Sequence, residues 1–215
     1  MASSATGGSS WADGRREAAR QRIIDAAWGL VGESGFGGLS IRGLAQRAGT
    51  TTPTLYTYFD SKNAIFDAMF AQGQRQFAAM RAAGPPDDPI DALRWSARTY
   101  LEFCGQDPLR YQLMFQRPIP GFQPSPESFA LSKANLDLSQ AVLAKAGLGE
   151  PRHLDIWTAL WAGVASQQNA NDPGGDRWTR HLNTVLEMYV NQFLPRRPKR
   201  RQQPKSDDPF REEKR

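Results

Sequence analysis

Three observations on this 215-residue chain predict an all-α fold. Apolar residues recur at spacings of three and four along most of its length. No stretch beyond a few residues has the period-two alternation and β-branched enrichment of a strand, and Gly- and Pro-rich breaks fall between the periodic stretches. The expected organisation is a disordered lead over residues 1–14, a small helical domain over 15–60, a larger helical domain over 61–195 and a disordered basic tail over 196–215.

Each element has its own signature. Residues 1–14 are rich in Gly, Ser and Ala, with no repeating apolar position. From Arg15 a helix is carried by Ile23, Ala26, Ala27, Leu30 and Val31, and it stops near Gly35. Two short helices follow, from about Ser40 to Ala48 and from Thr51 or Thr52 to Thr57, with Gly49 between them. Neither stands alone at that length, so both need a shared core, for which Phe36, Leu39, Ile41, Leu44, Ala45, Leu55, Tyr56 and Phe59 are the candidates. Ser61 is positioned to cap the next helix, which carries Ile65, Phe66, Met69, Phe70 and Phe77 to a break at Gly84, Pro85 and Pro86. Further helices are expected near 88–104, 108–116, 126–146, 151–170 and 175–194.

Composition removes several function classes. One cysteine, Cys104, forms no intramolecular disulfide, and without a CxxC pair there is no zinc ribbon or redox motif. The longest apolar run, residues 156–165, is about half of what spans a bilayer, and residues 1–16 lack the apolar middle of a signal peptide, so a cytoplasmic address is expected. The net charge of +5 divides into +2 over residues 1–62, −2 over 63–195 and +5 over 196–215. The tail therefore equals the whole excess, and global charge says little about the folded body. His153 and His181 lie in different predicted helices without ligand spacing and are assigned to surface or interface positions; no metal or cofactor is expected. Phosphate-cradling glycine loops and the G-x-S-x-G elbow are absent, and no convergent acid, base or nucleophile set appears. No catalytic residue is assigned, and an all-α enzyme remains only as the rival class.

The informative segment is LAQRAGTTTPTLYTYF, residues 44–59. Two short helices that cross steeply need a small residue at the approach, a glycine in the turn and an apolar residue on the second helix facing the first. Ala45, Gly49 and Leu55 have that spacing, as in a helix-turn-helix. With the second helix in a major groove, Thr51, Thr52, Thr54, Thr57 and Tyr58 form the exposed set, and Pro53 sits in the first turn, where its missing N–H costs little. Lys62 opens the following helix against dipole preference; a phosphate neighbour would compensate, and a solvated lysine is the alternative.

These residues resemble the TetR/AcrR family of bacterial transcriptional regulators. The resemblance covers about residues 20–70: Arg22-Ile23-Ile24, Ala26-Ala27, Gly35-Phe36, Leu39-Ser40-Ile41, Leu44-Ala45, Ala48-Gly49, Pro53-Thr54-Leu55-Tyr56, Tyr58-Phe59 and Ser61-Lys62. It implies a three-helix DNA-binding domain joined to a helical domain for ligand binding and dimerisation. Tyr56 and Lys62 are then expected at phosphates and Thr52, Pro53, Thr54 and Thr57 at bases, with Ser40, Thr51 and Tyr58 completing the DNA-facing set. Thr50 and Thr51 replace the family's usual valine and serine, and Gly43 a residue that favours helix.

By the same resemblance the chain is a regulator, by default a repressor, with a double-stranded operator and a second copy of itself as partners, no membrane, and a small-molecule effector of unknown identity. A regulator controlled by a partner protein, or by nothing, is the alternative. Residues 110–129 and 160–178 resemble a C-terminal domain type of actinobacterial members. Trp95, Tyr100, Phe103, Tyr111, Met114, Phe115, Phe129 and Trp157 are the candidates to line an apolar pocket, although core packing alone also explains most of them. Trp161, Gly163, Ala165, Gln168, Leu182, Val185, Leu186 and Tyr189 are the candidates for the dimer seam.

Overall fold

A computed structural model describes residues 7–194. The expectations for residues 1–6 and for the basic tail from 196 onward lie outside the described residues. Within them the chain is helical throughout, without a strand. The helices are α1 (Gly7–Gly38), α2 (Ile41–Arg47), α3 (Thr52–Tyr56), α4 (Lys62–Met80), α5 (Pro89–Gln106), α6 (Pro108–Tyr111), α7 (Pro126–Lys145), α8 (Pro151–Asn171) and α9 (Leu182–Phe193). A π-helical turn, Gln112–Gln116, continues α6, and a 3₁₀ turn, Thr179–His181, precedes α9. The helix expected from 175 therefore begins only at Leu182. No helix of the described residues is long and apolar enough to cross a membrane.

The lead differs from expectation, because residues 7–14 are already helical. Extending a nucleated helix costs little per residue, so α1 runs back beyond its buried stripe although Trp11 stays exposed. Arg15 lies over the Trp11 ring and helps to hold that turn. At the other end Gly35 takes φ 69°, ψ 175°, which interrupts α1 where the sequence predicts its stop.

Sequence-local caps set the starts. Ser40 accepts from the Gly43 amide, Thr51 from that of Thr54 and Ser61 from that of Ala64, while Asp88 accepts from both Ile90 and Asp91. α1, α2 and α3 close around Ile23, Ala27, Val31, Phe36, Leu39, Leu44, Leu55 and Phe59, and this core continues without a gap into α4, α5, α8 and α9. Tyr56, expected in the core, is instead 46% exposed. α4 runs between the two regions, against α1 at its start and against α7 further along.

Candidate nucleic-acid interface and cavity

Leu55 is the only buried residue of α3, and it docks that five-residue helix on α2. Gly49 has φ +65°, the left-handed conformation that the sharp turn needs, and the Thr50 amide returns to the Ala45 carbonyl at 2.9 Å. With one face of α3 sealed, Thr51, Pro53, Thr54, Tyr56 and Thr57 face solvent and Thr52 is half-buried. The Thr51 and Thr54 hydroxyls are 2.9 Å apart, and the Thr57 hydroxyl donates to the Thr54 carbonyl at 2.7 Å. Ser40 is exposed at the start of α2, and Lys62 is half-buried at the start of α4 with its ammonium 5.5 Å from the Phe66 ring centre. Tyr58 departs from the expected exposed set: it is half-buried at the α1 junction, where its carbonyl accepts from Arg20.

α1 adds cations that the motif reading missed. Arg16 reaches the Thr57 carbonyl at 3.5 Å, and Arg15, Arg16 and Arg22 line an open concavity with Thr57 and Tyr58. The signal was present in the sequence as four arginines within eight residues, 15 to 22, on one helix.

A cavity of about 270 Å³ lies among α4, α5, α7 and α8. Of the expected lining residues Tyr100, Phe115 and Trp157 are there. Phe103, Tyr111 and Met114 are buried in the packing behind them, and Trp95 lies over the Arg81 guanidinium. Phe129 is 58% exposed on α7, because its side chain falls on the solvent side of that helix. Gln74, Ser96 and Asn135, which also line the cavity, were not singled out from sequence, whereas Phe77 was read only as part of its helix and Trp161 as part of the dimer seam. Burial raises the Tyr100 phenol far above its ordinary value and Cys104 adds to the effect; burial also pushes the Cys104 thiol up to about 12. Both groups are neutral in the physiological range. A larger concavity beside the loop before α9 is lined by exposed Arg98, Glu102 and Arg180 and has the character of solvated surface.

Two further groups sit deeper than expected. Trp161, Ala165, Gln168, Leu182, Leu186 and Tyr189 are buried within their own chain. Trp161 packs edge-on against Trp157, Gln168 accepts from the Trp178 amide at 2.9 Å, and the Tyr189 hydroxyl donates to the His153 carbonyl at 2.7 Å. Val185 is half-buried and Gly163 is exposed. On the outer face of the same helices Ile156, Leu160 and Met188 are exposed, and Met188 is 68% accessible. His153 is buried against Phe193 and not at the surface, whereas His181 is exposed.

A polar cluster joins α6 to α1 and α4. Arg110 on α6 donates to the Gln72 carboxamide oxygen at 3.1 Å and lies 4.5 Å over the Trp28 ring, and Trp28 donates to the same oxygen at 2.6 Å. The π-helical turn that carries Phe115 thus continues directly from the residue gripping α1 and α4. A Cβ at Gly73 would lie 2.6 Å from the Met114 sulfur, so glycine there permits the close approach of that turn to α4.

The family profile described as bacterial regulatory proteins, tetR family, matches residues 23–69. Over 50 residues the chain is 46% identical to the class D tetracycline repressor protein of Escherichia coli, a match that spans 23% of each protein. The matched sequence therefore covers about a quarter of that relative's length. Among solved structures, the transcriptional regulator FadR from Bacillus subtilis in complex with stearoyl-CoA superposes with a TM-score of 0.64 at 19% identity, over 80% of this chain and 97% of that one. The multidrug binding protein EbrR complexed with imidazole gives 0.58 at 28% identity, over 78% and 88%.

Proposed function

We infer that the chain, whose residues 23–69 match the tetR-family profile, is a sequence-specific transcriptional regulator. It acts as a repressor that leaves its operator when a small apolar or aromatic ligand enters the cavity beside Tyr100, Phe115 and Trp157. The observation that carries the reading is the reading helix: α3 has one fully buried anchor, Leu55, and otherwise offers hydroxyls, a proline ring and Tyr56 to the outside. Thr52, Thr54 and Thr57 are assigned to base edges, and Tyr56, Lys62 and the α1 arginines to phosphates. Likeness to a regulator solved with stearoyl-CoA and to a multidrug binding protein solved with imidazole supports a ligand-responsive larger domain.

The protein works in the cytoplasm as a homodimer, since one five-residue helix reads few bases and two-fold symmetry doubles the half-sites. Ile156, Leu160 and Gly163 share the outer face of α8, and with Met188 of α9 they form the apolar surface for that association. A ligand that displaces Phe115 pulls on Arg110 and tilts α1 and α4, which changes the separation of the two reading helices. Selection of bound duplexes from a random library tests the reading. Enrichment of a two-fold symmetric site is expected, and recovery of sequences no different from the input refutes it.

A further inference from the structure

Beside the Ser96, Ser132, Ser139 and Thr158 hydroxyls, the wall of the cavity carries two buried side chains whose N–H groups lack partners among the described residues, Gln74 and Trp161. Gln74 is 1% exposed, and its carboxamide oxygen accepts from the Asn135 side chain at 2.9 Å. Asn135 also donates to the Gln74 carbonyl at 3.0 Å, so its amide nitrogen faces Gln74, and a flipped Gln74 would set donor against donor. The Gln74 amide nitrogen is thereby held as a donor, and it has no partner among the described residues. Trp161, also buried, has an indole N–H that can only donate and that likewise has none. Both residues line the cavity. Behind them Arg81, nearly sealed from solvent, donates to the Asn135 carbonyl at 2.8 Å and the Ser139 hydroxyl at 3.1 Å, and among the described residues no carboxylate pairs with it.

The aromatic part of the wall is Phe77, Tyr100, Phe115 and Trp157, and Ser96, Ser132, Leu136, Ser139, Thr158 and Ala162 complete it. Buried donors without partners are costly to a fold, and a buried cation without a counter-charge gives the site a positive potential. A ligand that supplies acceptors offsets both. We propose that the effector is a flat aromatic compound whose carbonyl or carboxylate oxygens accept hydrogen bonds from Gln74 and Trp161, with its rings among Phe77, Tyr100, Phe115 and Trp157. Cationic aromatics are disfavoured although the box is rich in rings, because the Arg81 guanidinium beside it is positive. Both donor nitrogens are closed off from solvent, so an oxygen reaches them by parting the wall.

This assignment rests on the cavity being the effector site and is tested separately from it. Calorimetric titration of the full chain would use four bicyclic probes: naphthalene, coumarin, 2-naphthoate and 2-naphthylmethylammonium. Coumarin and 2-naphthoate should each bind at least about tenfold more tightly than naphthalene, and the ammonium compound more weakly than either. Coumarin against 2-naphthoate separates a carbonyl ligand from a carboxylate one, and both bear out the proposal. Gln74→Met and Trp161→Phe, which keep side-chain bulk and remove a donor, should each reduce the coumarin-over-naphthalene preference, whereas a merely structural effect would lower both affinities together. Equal binding of naphthalene and coumarin, tightest binding of the ammonium compound, no binding of any probe, or a preference that survives both substitutions would overturn it. Operator titration in the presence of the probes distinguishes the two readings. The predicted preference without any loss of DNA affinity upholds the ligand class and removes the gating role, whereas release by naphthalene as readily as by coumarin upholds gating and removes the ligand class.

Discussion

Replacing Lys62 with alanine separates DNA binding from folding. Lys62 opens α4, where a cation opposes the helix dipole by ~0.3–1 kcal/mol, and its contact with the Phe66 ring returns ~0.5–1 kcal/mol. These terms nearly cancel, so the melting temperature should move by only a few degrees in either direction. On DNA the effect is larger and has a salt signature. Each lost phosphate contact lowers the slope of log K against log salt by about 0.9, so a dimer that loses two contacts loses ~1.8. Over a fourfold range, from about 50 to about 200 mM salt, the affinity deficit of Lys62→Ala should therefore shrink about tenfold. It should also be the same on the selected site and on random duplex, because phosphates carry no sequence. Thr54→Ala should behave oppositely, narrowing the gap between selected and random DNA by ~1–3 kcal/mol and leaving the salt slope unchanged. Electrophoretic titration of parent and variants on both duplexes at several salt concentrations measures each quantity. A folded Lys62→Ala protein with the parental slope refutes the phosphate assignment.

Leu160→Asp places a charge on the exposed face assigned to dimerisation and should give a folded monomer by sedimentation equilibrium, whereas Trp161→Asp buries that charge within one chain and should lower the melting temperature. A dimer that survives Leu160→Asp moves the seam elsewhere. Alkaline stability follows from Cys104 and Tyr189, whose folded-state values are both pushed up to about 12 by burial. Each holds its proton more tightly when folded, so the stability it contributes is intact below the unfolded value, about 9 for the thiol, and is lost as pH rises toward 12. Urea midpoints should fall over that window, with a shallower fall for Cys104→Ala; midpoints that stay flat refute the burial argument.

The sequence by itself determined what depends on neighbours along the chain. Ser40, Thr51 and Ser61 act through amides three residues away, and Gly49 acts through its own φ, so the caps and the turn around the reading helix depend on no tertiary contact. Leu55 and Ala45 were legible because a helix-turn-helix closes over only a few turns of chain. The limits of α1 were less so, since helix propagation into residues 7–14 is set by small per-residue terms that composition does not resolve.

Only the tertiary structure decided which side of each later helix is inside. Periodicity gives an apolar stripe but not its partner, and α8 is apolar on two sides: Trp157, Trp161 and Ala165 fill its own domain, while Ile156 and Leu160 are left for another surface. The sequence reading took the inward stripe for the dimer seam, whereas the proposed seam is the outward one. The polar half of the cavity was invisible for the same reason. Gln74 and Asn135 are 61 residues apart and meet only because α4 packs on α7, and a glutamine in a helix carries no local sign that its amide is to be left without a partner in a cavity wall.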